Sequence, residues 1–279
     1  MSRPGEYRAE YNKQIAQFDE GLAAELEVRI GVECDSAFVV VDEGMVSAAG
    51  YVTYSGMEGD VHIYDLRTAM RPDADVEAYL CMVDLIVEKA QEISSARHQK
   101  GLVRSFVNAA AVSTIDTMYA MGYSFGGARL EMELASEEAD EAGLMCCEKD
   151  YAITECKGED EFEEYMSFYG REDLRVSIRN LLSLGARIFA GRFAGHMVSA
   201  LIVCPGSSVQ ISNVYTQEPY RRRYFARDLL AYVIRMFRAQ CDVFSLDVEA
   251  GNDGAISLYQ SLGFDIQKVM AQMHYRLEE

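Results

Sequence analysis

The segment Val214-Tyr-Thr-Gln-Glu-Pro-Tyr-Arg-Arg-Arg-Tyr-Phe-Ala-Arg-Asp-Leu-Leu230 changes character twice along its length. It begins as a β-rich run, passes through a proline and three consecutive arginines, and ends in a helical pattern. A strand, a short loop and a helix N-terminus are therefore predicted. The unpaired backbone N–H groups and the positive dipole end of such a helix form a binding site for an anion such as a pyrophosphate.

The three arginines contrast with the charge of the rest of the chain. Its 279 residues include 26 Lys and Arg against 45 Asp and Glu, which gives a formal net charge of −19. This charge repels phosphate backbones and anionic lipid, so neither nucleic acid nor a membrane is expected as a partner. A solvated turn is the alternative explanation for the arginines, but their place between a strand and a helix favours an anion site.

Cysteine and histidine are distributed without a metal-binding pattern. The 7 cysteines form no CxxC pair, and the 4 histidines are widely spread. Reduced, mostly buried thiols and no metal site are expected. The polar N-terminal residues and the lack of a long apolar run favour a cytoplasmic protein.

A second segment, Leu246-Asp-Val-Glu-Ala-Gly-Asn-Asp-Gly-Ala-Ile-Ser-Leu-Tyr-Gln-Ser-Leu-Gly-Phe264, reads as a strand followed by a helix. Together the two segments resemble the GNAT superfamily of N-acetyltransferases. That family carries Arg or Gln, two variable residues, Gly, one variable residue and Gly or Ala in its loop; Arg221, Tyr224 and Ala226 hold those positions here. Tyr224 departs from the pattern, because a side chain there reduces the room for a close backbone approach.

The second segment matches the family's order of Asn, Ala, Tyr and Gly-Phe at every position. The resemblance implies acetyl-CoA as co-substrate and no metal. It implies a general-acid role for Tyr259, which would protonate the departing thiolate. The general base is left open between Glu249, Asp247 and an ordered water. The implied acetyl-CoA contacts are Val214, Thr216, Arg221, Arg222, Arg223, Tyr224, Phe225, Ala226, Asn252 and Ala255.

The order of elements in the second half repeats that of the first half. Gly263-Phe264 and Val248 match Gly122-Tyr123 and Val107 at one shift of 141 residues, while Leu230 and Arg221 match Leu80 and Arg71 at a shift of 150. We therefore expect an α+β fold with two tandem GNAT-like domains, at residues 1–135 and 148–279. Each is expected to be a mixed, mostly antiparallel, splayed sheet flanked by helices. Chance similarity of two α/β patterns is the alternative.

The first copy lacks the features that carry chemistry in the second. Asp73 and Asp75 would repel a pyrophosphate at its loop, and Met118 stands in the place of Tyr259. This copy is expected to be non-catalytic and to pack on the active one, to shape its acceptor cleft, or to mediate homodimerisation. Tandem layouts with one such copy occur in the superfamily, for example in mycothiol synthase.

The predicted activity is therefore transfer of an acetyl group to a primary amine. The acceptor is left open among a small amine, an amino acid, a polyamine, an aminoglycoside and a protein N-terminus. A non-catalytic CoA-binding or structural tandem module is the second hypothesis, and Tyr224 is the residue that favours it.

Three local expectations complete the analysis. Apolar residues spaced three and four apart from Tyr7 to Ile30 predict an amphipathic helix or helix pair. Two β-rich runs around Asp42-Glu43-Gly44 predict a hairpin. The C-terminus is expected to form two short strands, Phe264–Lys268 and Gln272–Leu277.

Overall fold

A computed structural model describes residues 3–6, 9–19, 22–23, 26, 37–96, 100–139 and 150–277. The chain divides into two compact units. The first contains Met1–Gly126 together with Ala271–Glu279, and the second contains Gly127–Met270. Each is a mostly antiparallel sheet flanked by helices, so the predicted fold class is confirmed.

The first unit has the strand order β1-β2-β3-β4-β5-β12. A parallel pairing joins β4 to β5, and the pairings β1–β2, β2–β3 and β3–β4 are antiparallel. Its elements are β1 (Arg3–Glu6), a 3-10 turn (Ala9–Tyr11), α1 (Asn12–Ile15), β2 (Ala37–Asp42), β3 (Met45–Glu58), β4 (Val61–Met70), α2 (Val76–Ala96), β5 (Gly101–Asn108) and α3 (Val112–Ala120).

The predicted hairpin joins β2 to β3. Asp42 pairs with Met45, and the two residues between them have positive φ, 48° at Glu43 and 83° at Gly44. This is the type I′ geometry that matches the twist of two antiparallel strands. Ile15 is fully buried against these strands, as its place in the amphipathic pattern predicts. Much of the helix expected over residues 7–30 lies outside the described residues.

The second unit has the strand order β12-β6-β11-β10-β9-β8-β7. A parallel pairing joins β10 to β11, and the pairings β7–β8, β8–β9, β9–β10 and β6–β11 are antiparallel. Its elements are β6 (Ser124–Ala135), β7 (Tyr151–Cys156), α4 (Glu159–Tyr169), a 3-10 turn (Glu172–Leu174), α5 (Arg175–Ser183), β8 (Arg187–Phe193), β9 (His196–Cys204), β10 (Ser208–Thr216), a 3-10 turn (Glu218–Tyr220), α6 (Phe225–Phe237), β11 (Val243–Glu249), α7 (Asp253–Gln260) and β12 (Asp265–Arg276).

Helices cover both faces of this second sheet. The face under α6 and α7 buries alternate strand residues such as Phe189, Leu201 and Leu246. The face under α4 and α5 buries the residues between them, such as Ile188 and Ile202. Because successive strand residues point to opposite faces, this alternation gives each half of the sheet its own core.

The expectation of two C-terminal strands is wrong. Residues Asp265–Arg276 form one continuous strand. The two expected strands were separated by Val269, Met270 and Ala271. None of these is a glycine, proline, asparagine or aspartate, so nothing there favours a turn. The two expected strands are therefore two parts of the single strand Asp265–Arg276.

The compact units also differ in their bounds from the domains expected at 1–135 and 148–279. Gly127–Ala135 of β6 belong to the second unit, where Arg129–Ala135 pair with β11. In the other direction, Ala271–Arg276 of β12 belong to the first unit, where β12 lies next to β5. The first unit is therefore completed by a strand that is distant from the rest of it in sequence, whereas the second unit is one continuous stretch.

Candidate functional site

Strands β10 and β11 separate part of the way along their length. They are paired in parallel from Ser208 with Val243 as far as Ile211 with Leu246. Beyond that pair β10 continues to Thr216 and β11 to Glu249, with no further pairing between them. Unpaired backbone N–H and C=O groups therefore face the opening, and an extended ligand can bind to them.

A β-bulge lies in β10 where the strands part. Ser212 pairs with Ile202 of β9 and Tyr215 with Ala200, so Asn213 and Val214 lie opposite the single residue Leu201. Asn213 has φ 51°, in the left-handed region that asparagine tolerates. The extra residue bends β10 and changes the direction of the side chains beyond it. Val214 packs against the α6 core, whereas Tyr215 contacts aromatic rings of α4 on the other face.

The arginine-rich loop follows β10 and leads into α6. Tyr224 caps the helix with φ 66° and ψ 2°, and Arg222 also has a positive φ, 61°. The loop therefore has the left-handed backbone at the position where the family pattern has glycine, although tyrosine occupies it. The Tyr224 side chain is 51% exposed.

The first turn of α6 has backbone N–H groups without partners inside the helix. The first helical hydrogen bond runs from the Asp228 N–H to the Tyr224 carbonyl at 2.9 Å. The N–H groups of Phe225, Ala226 and Arg227 precede it and lack partners within the helix, since the first turn of any helix has none. Together with the positive end of the helix dipole they form an anion site.

The three arginines of the loop differ in their contacts and exposure. Arg221 donates from Nε to the Thr216 carbonyl at 3.1 Å and so ties the loop to the end of β10. The Arg223 guanidinium lies 4.8 Å from the centre of the Phe193 ring and 5.1 Å from that of Phe225. This cation–π packing fixes Arg223 against the core. Arg222 is exposed beside the helix N-terminus.

Replacing Tyr224 by glycine should relieve strain in this loop. A non-glycine residue in the left-handed region costs about 1–2 kcal/mol, whereas glycine adopts it freely but loses more entropy on folding. We expect Tyr224→Gly to raise the free energy of unfolding by roughly 0.5 kcal/mol, measured by urea denaturation. Tyr224→Ala is the matched control: it removes the same ring and keeps the strained φ, so a gain in both variants would show that the ring, not the backbone, is responsible.

Packed residues of β7, β8 and β9 support the first residue of α6. Tyr151 of β7 donates from its hydroxyl to the Phe225 carbonyl at 3.0 Å, and the two rings lie 4.8 Å apart. Ser199 and Gly191 lie beside the Tyr151 hydroxyl, and a Cβ on Gly191 would be 2.5 Å from it. The sequence analysis missed Tyr151 and Gly191, because only the strand register brings them beneath the helix N-terminus.

The second predicted segment forms the other side of the site. Asn252 caps α7 by accepting a hydrogen bond at Oδ1 from the Ala255 N–H at 3.2 Å. Ala255 is half-buried and packs against the α6 core. Tyr259 lies in the same core with 6% of its surface exposed, and its ring contacts Phe264 at 6.1 Å. Burial raises the pKa of Tyr259 to about 12.

Asp247 and Glu249 lie on the opposite face of β11 from Tyr259. Val248 between them is buried under α7, while both acids are exposed. The two acids share one face because they alternate with buried residues along the strand. Glu249 accepts a hydrogen bond from Arg129 of β6 at 3.0 Å. The two faces of the opening therefore have different chemistry: a buried phenol on one and carboxylates on the other.

In the corresponding loop of the first unit, aspartate side chains bind the arginine and the helix N-terminus. The strands β4 and β5 also part, after Leu66 with Ser105. However, Arg71 donates from Nε to the Asp73 carboxylate at 2.6 Å, and the Asp75 carboxylate accepts from the Glu77 N–H at 3.1 Å. Met118, in the position that corresponds to Tyr259, is fully buried. This loop has carboxylates where the second unit has arginines and the N-terminus of α6.

Among the described residues no group of three or more His, Cys, Asp or Glu side chains could hold a metal ion. No helix within the part of the chain that the structure describes is long and apolar enough to cross a membrane.

Comparison with known proteins places this site in a family. Residues 151–264 match the model of the acetyltransferase (GNAT) family. No curated protein matches the sequence. Among solved structures, a GCN5-related N-acetyltransferase from Sphaerobacter thermophilus superposes over 100% of this chain and 96% of its own, with a TM-score of 0.76 and 15% identity.

Two further structures show the same fold. A tandem GNAT protein from the clavulanic acid biosynthesis pathway matches 100% of this chain and 99% of its own, with a TM-score of 0.72 and 14% identity. A glucosamine N-acetyltransferase region of a fungal multi-domain GH3 β-N-acetylglucosaminidase matches 99% of this chain and 38% of its own, with a TM-score of 0.73 and 11% identity. The chain therefore has a tandem GNAT fold, and its residues 151–264 form a domain of the GNAT acetyltransferase family.

Proposed function

We propose that the second unit transfers an acetyl group from acetyl-CoA to a primary amine by direct attack. One observation carries the proposal: the opening between β10 and β11 leads directly to the unpaired N–H groups at the start of α6. The helix N-terminus and Arg222 would bind the pyrophosphate. The unpaired backbone of β10, from Val214 to Thr216, would hydrogen-bond the pantetheine amides.

The reaction needs one bond to form and one to break. The neutral amine nitrogen attacks the thioester carbonyl carbon, and the tetrahedral intermediate collapses with cleavage of the C–S bond. The amine gives up a proton to solvent or to a carboxylate, and the sulfur receives one from the Tyr259 hydroxyl. Alignment of the two reactants on the opened strands supplies much of the rate by proximity.

The surroundings of Tyr259 suit it to donate a proton. Because burial raises its pKa to about 12, the phenol stays protonated throughout the physiological pH range. Among the described residues its hydroxyl has no hydrogen-bond partner, so no internal acceptor competes for the proton. A developing thiolate beside it would be a strong acceptor.

Glu249 is the proposed acceptor for the proton of the amine. Its carboxylate is half exposed at the end of β11, on the face of the opening opposite Tyr259. The acid, Tyr259, and the base, Glu249, lie on different faces. The sulfur can therefore gain a proton and the amine can lose one without a proton passing directly between the two side chains. Arg129 fixes the orientation of the carboxylate, and a water between Glu249 and the amine would extend its reach.

The first unit is proposed to be non-catalytic. The carboxylates of Asp73 and Asp75 already occupy the arginine and the helix N-terminus of its loop. A pyrophosphate there would meet two negative charges at close range, which is repulsive even with solvent screening.

Calorimetric titration with acetyl-CoA tests this assignment, because the two loops provide a matched pair of arginines. We expect the wild type to bind one equivalent. Arg221→Ala should weaken binding about tenfold, since it frees the loop from Thr216 and removes a positive charge beside the pyrophosphate. Arg71→Ala is expected to leave the affinity unchanged, because its guanidinium is held by Asp73.

Other outcomes would assign the protein differently. Two equivalents, or loss of affinity in Arg71→Ala, would contradict the non-catalytic assignment of the first unit. No binding at all would mean that the Tyr224 side chain closes the loop, and the chain would then be a structural tandem module. Binding without acetylation of any amine would indicate a non-catalytic CoA-binding module.

A further inference from the structure

Two residues of the arginine-rich loop have a left-handed backbone although neither is glycine. Arg222 has φ 61° and Tyr224 has φ 66°. Residues with a bulky side chain rarely adopt this conformation, because the side chain crowds the backbone. Such strain persists only where the surrounding structure holds the backbone in place. Contacts of the neighbouring residues must therefore hold this loop.

The two strained residues alternate with three residues that are held in place. Arg221 donates from Nε to the Thr216 carbonyl at 3.1 Å. Phe225 is 1% exposed, and its carbonyl accepts a hydrogen bond from the Tyr151 hydroxyl at 3.0 Å. Arg223 is the middle residue of the five and is bonded to both strained residues. The contacts of its side chain therefore bear on both strained conformations at once.

Three aromatic rings, from β8, the 3-10 turn before the loop and α6, pack against the Arg223 guanidinium. Its central carbon lies 4.8 Å from the centre of the Phe193 ring, 5.1 Å from that of Phe225 and 5.8 Å from that of Tyr220. The three rings also contact one another, with centres 5.7, 6.2 and 6.3 Å apart. We call Phe193, Tyr220 and Phe225 the aromatic cage. Cation–π attraction to several rings holds a guanidinium more firmly than attraction to one.

The exposure of the side chains indicates where the strain is offset. Arg222 and Tyr224 are both exposed, Tyr224 at 51%. Exposed side chains bury little surface, so the packing of these two residues contributes little stability against the strain of their own backbone. Arg223 between them is half-buried, and Phe225 after them is buried. The stabilising contacts therefore come from the residues that alternate with the strained ones.

We infer that Arg223 is a positioning residue. Its place in the aromatic cage holds Arg222 and Tyr224 in the left-handed conformation, and so keeps the N–H groups of the first turn of α6 directed at the pyrophosphate. The inference rests on the proposed function, because that pyrophosphate belongs to acetyl-CoA. The role differs from the direct contact with acetyl-CoA that the family resemblance implies for Arg223. A guanidinium packed on three rings would have to leave them to bind a phosphate.

Calorimetric titration of acetyl-CoA into variants of the cage separates positioning from direct contact. Arg223→Ala is expected to weaken binding about tenfold, since the loop loses its cation–π contacts. Phe193→Leu keeps all three arginines and removes the nearest ring, and we expect a similar loss. If Arg223 bound the pyrophosphate itself, Phe193→Leu would release it, and the affinity would be unchanged or higher. Tyr220→Leu removes another ring of the cage and serves if Phe193→Leu does not fold.

Urea denaturation tests the cage without any ligand. Arg223→Ala should lower the urea midpoint of the wild type. In the Tyr224→Gly background the same change should lower the midpoint by about half as much, since glycine adopts the left-handed backbone without support and only Arg222 remains strained. A role of Arg223 that is confined to charge would give equal losses in the two backgrounds.

Arg179→Ala is the matched control. The Arg179 guanidinium lies 4.3 Å from the centre of the Phe162 ring, so this variant also removes a cation–π contact from the second unit. Phe162 belongs to the core under α4 and α5, on the opposite face of the sheet from α6. The affinity for acetyl-CoA should therefore stay as in the wild type.

Three results would overturn the inference. These are an undiminished affinity in Arg223→Ala, a wild-type affinity in Phe193→Leu while Arg223→Ala binds weakly, and equal losses of urea midpoint with tyrosine or glycine at position 224. The proposed function fails separately, if the wild type does not bind acetyl-CoA. In that case the urea comparison still decides whether the aromatic cage supports the strained loop.

Discussion

Tyr259→Phe is expected to reduce kcat for amine acetylation by about 10²–10³-fold, the usual contribution of a general acid. The substitution removes one oxygen from a side chain that is only 6% exposed and leaves the ring to pack on Phe264. The affinity for acetyl-CoA should therefore stay within about twofold. Because among the described residues the hydroxyl has no hydrogen-bond partner, its loss breaks no internal bond.

Steady-state kinetics of thiol release, together with calorimetric titration of acetyl-CoA, measure these two quantities. Tyr119→Phe in α3 is a suitable control, because that tyrosine is 47% exposed and lies in the first unit. It should leave kcat unchanged. An undiminished kcat in Tyr259→Phe would show that the thiolate takes its proton from water and that Tyr259 only fills the core.

Gly191→Ala is expected to destabilise the second unit by roughly 1–3 kcal/mol, the range for overpacking a core. The new Cβ would overlap Ser199 Oγ and lie 2.5 Å from the Tyr151 hydroxyl, whose hydrogen bond supports the start of α6. Tyr151 would have to move, and the arginine-rich loop before α6 would lose that support. Acetyl-CoA affinity should fall together with stability.

Urea denaturation and calorimetric titration measure the two effects on one preparation. Gly254→Ala is the matched control: its Cβ would approach nothing closer than 4.0 Å, and alanine is the better helix former in the first turn of α7. That variant should be neutral or more stable by up to about 1 kcal/mol. Equal stability of Gly191→Ala and the wild type would mean that Tyr151 can shift without consequence.

The strand–loop–helix segment was the most predictable part of the site. Its proline, arginines and helical pattern are local signals, and the observed strand, loop and helix N-terminus follow in the predicted order, with the helix beginning at Phe225. The residue types suffice here, because the structure is determined within a few residues.

The rest of the site depends on contacts that are distant in sequence. Tyr151 meets Phe225 across more than seventy residues, and Tyr215 contacts the aromatic rings of α4 only because of the bulge at Asn213 and Val214. No local pattern marks the bulge, since neither residue is glycine. The backbone of Tyr224 is a similar case: the sequence shows an unfavourable residue, and the structure shows that the loop adopts the left-handed conformation in spite of it.

The division of β12 between the two units has a consequence for synthesis of the chain. Ala271–Arg276 leave the ribosome long after the other strands of the first unit, and that unit lacks this strand until they do. A nascent chain that has reached α7 therefore carries an incomplete first unit with the edge of β5 open, which can pair with strands of other molecules. Completion of the first unit is thus a late event, and it requires most of the second unit to have been translated first.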